Sequence, residues 1–435
     1  MQTIRYAALT AGTVLCLGSA TASAIELSAG DWTLNINGNV NVHYINNNCD
    51  DGTTVAADQV LGGVTCPLFG IEGGVGAVNG AGGGDDRVSG VTTGLLPGAL
   101  VFNISTTQSD WSGREWDLNT VFGFYPGITS NNNPNLDIQE TQGLQSASID
   151  TRQVYLQFAN DELGKVRAGR DFGLFGYDAI INDMTLPGVG VQGFAAPTPN
   201  NTTLGGIGFG YIYVDTLAQI TYMSPSFQGF SFKAGIFQPL DAIDFTGLSA
   251  RSAGSNKSEP GFHGQLRYDI DLAPVSGFLS VNGITQEHTG LVGAGIADEE
   301  DERSWGIDVN AKIDVMDFSF LGSYYTAEGM GTTALFFDAF DANGEARDSD
   351  GFMLQGTYTY GRTKFGFNYG VSRLDRNDVD PRTLVDENRK WTAGIYHTFT
   401  DNLMFVAEYS DATSENHDGD EFSGENVNIG AFLSF

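Results

Sequence analysis

Trp32-Thr33-Leu34-Asn35-Ile36-Asn37-Gly38-Asn39-Val40-Asn41-Val42-His43-Tyr44 decides the fold. Trp32, Leu34, Ile36, Val40, Val42 and Tyr44 share one parity, with Gly38 among them, and Asn35, Asn37, Asn39, Asn41 and His43 share the other. A strand sends successive side chains to opposite faces, so this period of two predicts one face in an apolar medium and one in water.

The end of the chain repeats the pattern. Val427, Ile429, Ala431, Leu433 and Phe435 share one face and Asn428, Gly430 and Ser434 the other, although Phe432 interrupts the polar side. Pairing the two terminal strands would close a sheet into a barrel and abolish its edges. Fourteen more strands are expected between them, at 99–110, 116–127, 149–159, 165–176, 210–223, 230–238, 262–272, 278–288, 304–315, 318–328, 352–360, 363–374, 390–400 and 403–412.

The joins between these strands alternate in length. Short ones fall at Ser112-Gly113-Arg114, 161–164, 225–229, 273–277, Met316-Asp317, Gly361-Arg362 and Asp401-Asn402, and the others are long. Short turns at one end and long loops at the other describe an outer-membrane barrel with periplasmic turns and external loops. The predicted fold is all-β, a transmembrane antiparallel barrel of sixteen strands.

The strand carrying Trp305, Ile307, Val309, Ala311, Ile313 and Val315 alternates them with Asp308, Asn310, Lys312 and Asp314. A lipocalin-like soluble barrel would turn the apolar face inward, but sixteen strands enclose too wide a space for side chains to fill. The polar face is therefore expected to line water. Trp32, Tyr44, Trp111, Trp116, Trp305, Tyr324, Trp391 and Tyr409 lie near strand ends. That placement fits both a membrane-interface girdle and ordinary β-propensity.

Composition agrees with such a wall. The 435-residue chain is 41% hydrophobic, with 58 Gly, 29 Phe and 16 Tyr beside 12 Pro, and no run beyond the first residues is long and apolar enough for a membrane helix. A wall apolar at every second position and polar between accounts for both facts. The formal charge of −32 repels nucleic acid and anionic surfaces and attracts cations, divalent ones included.

Residues 1–24 read as a signal peptide, with Arg5 in its n-region, an apolar core from Tyr6 to Ala20 and an Ala22-Ser23-Ala24 cleavage site, leaving 25–435 as the barrel domain. Cys16 lies in that core with Leu15 before it, where a lipoprotein signal would need a small residue. Cys49 and Cys66 then remain in an oxidising compartment and are expected to staple a loop, which contributes about 3 kcal/mol by loop entropy. A metal or redox pair would need more ligands than their vicinity offers.

The stretch Gly169-Arg170-Asp171-Phe172-Gly173-Leu174-Phe175-Gly176-Tyr177-Asp178-Ala179-Ile180, followed by Asn182-Asp183-Met184 and Leu186-Pro187, resembles the strand-five to loop-three segment of the Gram-negative general porins. The final Phe435 is similar to that family's assembly signal. The resemblance implies a homotrimer of water-filled channels for small hydrophilic solutes and ions, with the third loop, roughly 178–206, folded inward to narrow each barrel. It implies no cofactor.

In those porins acidic loop residues face basic wall residues, which orients permeating solutes at close range. Arg170 occupies the family's wall-arginine position. Strict alternation nevertheless puts Lys165, Arg167 and Asp171 on one face and Arg170 on the other, unless a bulge at Gly169 turns Arg170 inward. Both arginines are constriction candidates, together with Asp178, Asp183, Lys233 and Arg267. His263 shares a face with Arg267, and Lys364 is a further inward basic residue. After Pro187 the sequence reads Gly188-Val189-Gly190 where enteric porins place acids, so selectivity does not carry over.

External loops are acidic at 298–302 and around Asp418, Asp420, Glu421 and Glu425. They suit cation concentration at the mouth, divalent bridging to lipopolysaccharide, or plain solvation. Asp341, Asn343 and Asp350 are candidate calcium ligands, although Ala339 stands where the first acidic ligand would be. The Gly-rich run at 73–84 lacks a βαβ unit around it and reads as an external loop.

A passive porin with some cation preference is the leading expectation, with a substrate-specific channel on the same fold as the alternative. An outer-membrane hydrolase would need Ser and His within hydrogen-bond reach. His43, His263, His288, His397 and His417 are scattered in no nucleophile motif. An adhesin or anchor would need a separate domain.

Overall fold

The computed structural model describes residues 24–49, 60–65, 87–128, 149–191, 202–252, 257–296 and 300–435. The leader up to residue 23, Cys66, the run at 73–84 and positions 298 and 299 lie outside them.

Sixteen strands make the wall. The first eight are β2 (Trp32–Cys49), β4 (Ala99–Ser109), β5 (Glu115–Pro126), β6 (Ile149–Asn160), β7 (Gly164–Phe172), β8 (Thr216–Met223), β9 (Phe230–Phe237) and β11 (Gly261–Leu272). The other eight are β12 (Val275–Val292), β13 (Glu300–Val315), β14 (Phe318–Glu328), β15 (Asp348–Tyr360), β16 (Thr363–Leu374), β17 (Val385–Thr398), β18 (Leu403–Asn416) and β19 (Glu421–Ser434). Three short strands, β1 (Ile25–Ala29), β3 (Arg87–Thr92) and β10 (Arg251–Ser252), attach to β2, β2 and β12. Every wall strand pairs antiparallel with the next, and β19 returns to β2 with Ser434 opposite Asn39. Phe435 and Gly38 exchange backbone hydrogen bonds at 3.0 and 2.9 Å, completing the seam.

The alternation is inside out. On β2, Val40, Val42 and Tyr44 are 53%, 41% and 47% exposed, whereas Asn39, Asn41 and His43 between them are 5%, 1% and 0%. Ile307, Val309 and Ile313 of β13 are likewise exposed and Asp308 and Asn310 buried. In water an outward apolar row of this extent would be unstable. In lipid it is the required surface.

All sixteen expected strands are present, with two informative boundary errors. The stretch 173–176 leaves the wall as a turn leading into helix α1 (Tyr177–Asn182), and 210–215 is not wall strand. Tyr211, Ile212 and Val214 are apolar because they pack in the interior, and their hydropathy mimics a strand.

The expectation of a polar interior needs correction in part. Lumen-side positions also carry Ile284, Leu321, Tyr325, Met353 and Phe432, which pack against the segments 173–215 and 329–347 in two apolar clusters. Phe432, which broke the polar side of the last strand, belongs to the apolar cluster that also holds Leu95, Leu96 and Leu186. These two segments supply the apolar partners that such lumen-side residues need.

Candidate pore constriction

The segment between β7 and β8 enters α1 through Gly176, whose φ of 77° suits a residue without Cβ. Its N–H donates to Asp308 Oδ2 at 2.8 Å, and Asp308 also accepts from Asn282 and Asn310. The short α1 then turns Asp178 onto the wall. Its carboxylate accepts from Ser280 Oγ at 2.6 Å, Gln265 Nε2 at 3.0 Å and the Arg267 guanidinium at 3.2 Å.

From there the segment reaches strands on the opposite arc of the ring. The Met184 N–H donates to Gln355 Oε1 at 2.7 Å on β15. Asp183 accepts from the Tyr211 hydroxyl at 2.8 Å, Thr185 and Asn368. Burial, with Asp183 alongside, holds the Tyr211 phenol well above its usual range, which keeps it a donor. The N–H groups of Val189 and Gly190 both donate to Glu408 Oε2 at 2.9 Å on β18. Lys390 of β17 donates to the Gly205 carbonyl at 2.8 Å, and the Gly210 N–H to Ser372 Oγ of β16 at 2.8 Å. Residues 93–98, between β3 and β4, close the gap: Leu95 N–H meets the Gly188 carbonyl at 2.8 Å and Leu96 N–H that of Leu186 at 3.1 Å.

Arg167, Lys233 and Arg267 come together on the inner faces of β7, β9 and β11, with Lys233 close enough to interact with both arginines, Asp171 and Asp178. Arg167 pairs with Asp171, four residues on, and lies over the Tyr155 ring at 4.4 Å. Arg267 bridges Asp178 and Asp269 and lies over Phe278 at 3.9 Å. Lys233 makes no ion pair among the described residues, and its Nζ is 5.7 Å from the Tyr177 ring centre.

Arg170 does not join them. The β6–β7 register runs without a shift from Val154 opposite Arg170 to Asn160 opposite Gly164, so no bulge intervenes and Arg170 stays exposed on the outward parity beside Val154. Of the two alternatives, Arg167 is the inward arginine.

The calcium candidates Asp341, Asn343 and Asp350 have other partners in the fold. Asp341 Oδ1 accepts the N–H groups of Asn343 and Glu345, and Oδ2 accepts Asn377 Nδ2 at 3.0 Å. Its oxygens are thus taken by donors. Asp350 lies on β15, 3.7 Å from Arg373, and no group of three metal-ligating side chains assembles among the described residues. Cys49 is disulfide-bonded.

Among the described residues no histidine hydrogen-bonds a serine hydroxyl. His263 Nδ1 accepts from the Leu174 N–H, His288 lies beside Gln286, His397 meets the Thr363 hydroxyl and His417 the Leu374 carbonyl. His43 is buried and has no hydrogen-bond partner among the described residues.

Glu408 and Lys390, which anchor the segment, were missed in the sequence. The signal was parity, since both stand on inward positions of their strands.

Residues 10–417 match the family described as Gram-negative porin. The chain belongs to the Gram-negative porin family. No curated protein sequence matches it. Among solved structures this porin is similar to the outer membrane channel DcaP of Acinetobacter baumannii, with a TM-score of 0.62 at 14% identity over 94% of this chain and 99% of that one. It is similar also to an anion-selective porin from Comamonas acidovorans, with a TM-score of 0.54 at 13% identity over 93% and 100%. The trimer form of OmpT, an outer membrane protein of Vibrio cholerae, gives 0.50 at 14% identity over 93% and 99%. Family membership and these folds make the protein an outer-membrane β-barrel and a porin channel.

Proposed function

We propose that this porin carries small hydrophilic solutes and ions across the outer membrane by passive diffusion, with the 173–215 segment as its constriction. The observation that carries the reading is the inverted alternation on a closed ring, combined with a segment hydrogen-bonded from Asp178 at one wall to Glu408 at another. Arg167, Lys233 and Arg267 then give the narrow region a positive side, where charges act on solutes at close range. The acidic exterior, with a chain charge of −32, concentrates cations at the mouth and supports a cation preference. Residues 1–24 act as the export leader, and Cys49 pairs with Cys66. The assembly is a homotrimer embedded in lipid and lipopolysaccharide, supported by the trimer form among the similar structures.

Single-channel recording of the purified protein in planar bilayers tests this. Steps grouped in threes and a cation-side reversal potential in a salt gradient are expected. A sealed membrane would refute the channel, and an anion-side potential would assign selectivity to the basic wall instead of the mouth.

A substrate-specific channel is the second reading. The apolar clusters filling part of the interior favour it, because they leave less room for indiscriminate flow. Conductance that one solute blocks saturably would select it.

A further inference from the structure

We propose that residues 329–347, between β14 and β15, form a second inward-folded element that sets pore size, latched by the buried Arg347–Asp380 pair. This rests on the channel reading above and names a determinant of that channel's width.

The segment begins and ends on the wall, with the Gly329 N–H donating to the Arg347 carbonyl at 2.9 Å and the Ser304 hydroxyl of β13 to the Gly329 carbonyl at 2.6 Å. Between these points it turns to the lumen side. Met330, Leu335, Phe336, Ala339 and Phe340 are buried against Ile284 of β12 and Tyr325 and Ala327 of β14, all of which face inward. His288 of β12 sits edge-on to Phe336 at 4.4 Å and to Phe340 at 5.0 Å. A loop lying over the rim would have no access to these side chains.

Its tip meets the first constriction element. The Tyr213 N–H donates to the Thr333 carbonyl at 2.8 Å, and Tyr213 and Ala334 form a parallel bridge. The two segments therefore share one blockade across the interior.

What holds the second segment is ionic. Arg347 and Asp380 are 0% and 1% exposed, and their two-pronged contact measures 2.8 Å from Nε and 2.6 Å from the second guanidinium nitrogen. The remaining nitrogen donates to the Asp338 carbonyl at 2.7 Å and to Ser249 Oγ at 2.9 Å. Asp338 in turn collects the Phe245 and Thr246 N–H groups and the Ser249 hydroxyl on Oδ1. One guanidinium thus ties three external segments, at 243–250, 329–347 and 375–384. Removing one partner of so buried a pair leaves the other charge without compensation, so the arrangement opens instead of relaxing in place. Arg347 is a positioning residue here, acting on solutes only through the segment it holds.

The test is single-channel conductance together with exclusion of neutral polyethylene glycols of graded size, on the full chain. Arg347→Gln and Asp380→Asn should each raise conductance and admit larger polymers. Thr333→Cys leaves the latch intact and should lose conductance when coupled to a bulky cysteine-directed reagent. Parent-like conductance and cut-off in both latch variants would overturn the inference. So would full conductance after complete labelling of Thr333→Cys, which decides alone if the latch variants fail to assemble. A parent protein that never conducts would instead sink the channel reading, so the two failures are distinguishable.

Discussion

The Gly190 N–H donates to Glu408 Oε2 at 2.9 Å, joining residues 218 apart in sequence from opposite parts of the barrel. The same oxygen takes the Val189 N–H at 2.9 Å and Asn428 Nδ2 at 3.2 Å, while Oε1 takes the Tyr396 hydroxyl at 2.6 Å. Glu408→Ala would leave these donors buried and unpaired, at about 1–3 kcal/mol each. The expected result is faster hydrogen exchange at 186–191 and noisier open-channel current, with the barrel intact. Parent-like exchange and current would show that the anchor is dispensable.

The basic side of the constriction makes a paired prediction. Lys233→Gln and Arg267→Gln each remove a positive charge from the lumen and should move the reversal potential in a salt gradient toward cations. Arg170→Gln removes a charge from the outward face and should leave it unchanged. A shift with Arg170→Gln as large as with Lys233→Gln would contradict the facing assigned here.

Asp338 gives a pH dependence. Burial raises its pKa, and the donors converging on Oδ1 oppose that only in part. Arg347 touches its backbone carbonyl, and the acids on the segments packed nearby are Asp244, Asp375, Asp378 and Asp380. An acid with a raised pKa in the folded state favours the folded loop below its ordinary range, and that contribution is lost as pH rises through the raised value. Protease resistance of the 329–347 segment should therefore fall as pH climbs from acid toward neutral. Asp338→Asn, which keeps the Oδ1 acceptor, should flatten the curve. An unchanged slope would assign the titration elsewhere.

Val309 stands exposed in the apolar row of β13, opposite Tyr324 and Val281. Val309→Lys places a charge in lipid and should cost about 2–4 kcal/mol. Urea unfolding from phospholipid vesicles measures it. Asn310→Lys, one residue along and facing the interior, provides the comparison and should not incur that lipid penalty.

The sequence by itself determined the wall. A strand whose faces meet different solvents must alternate, so Trp32 to Tyr44, Trp305 to Val315 and Val427 to Phe435 carried their placement in their residue types. The same logic kept Arg167 and Arg170 on opposite faces. Which residues meet across the interior was decided by tertiary structure. Phe336 and Phe340, or Tyr211 to Val214, are apolar for partners far away in sequence, and nothing local separates a plug residue from a strand residue. Glu408 meeting Gly190, and Arg347 meeting Asp380, depend on which loops bend inward and how far. Closure of the ring brings those residues within reach, and buried charges and N–H groups then take whatever partner the geometry supplies.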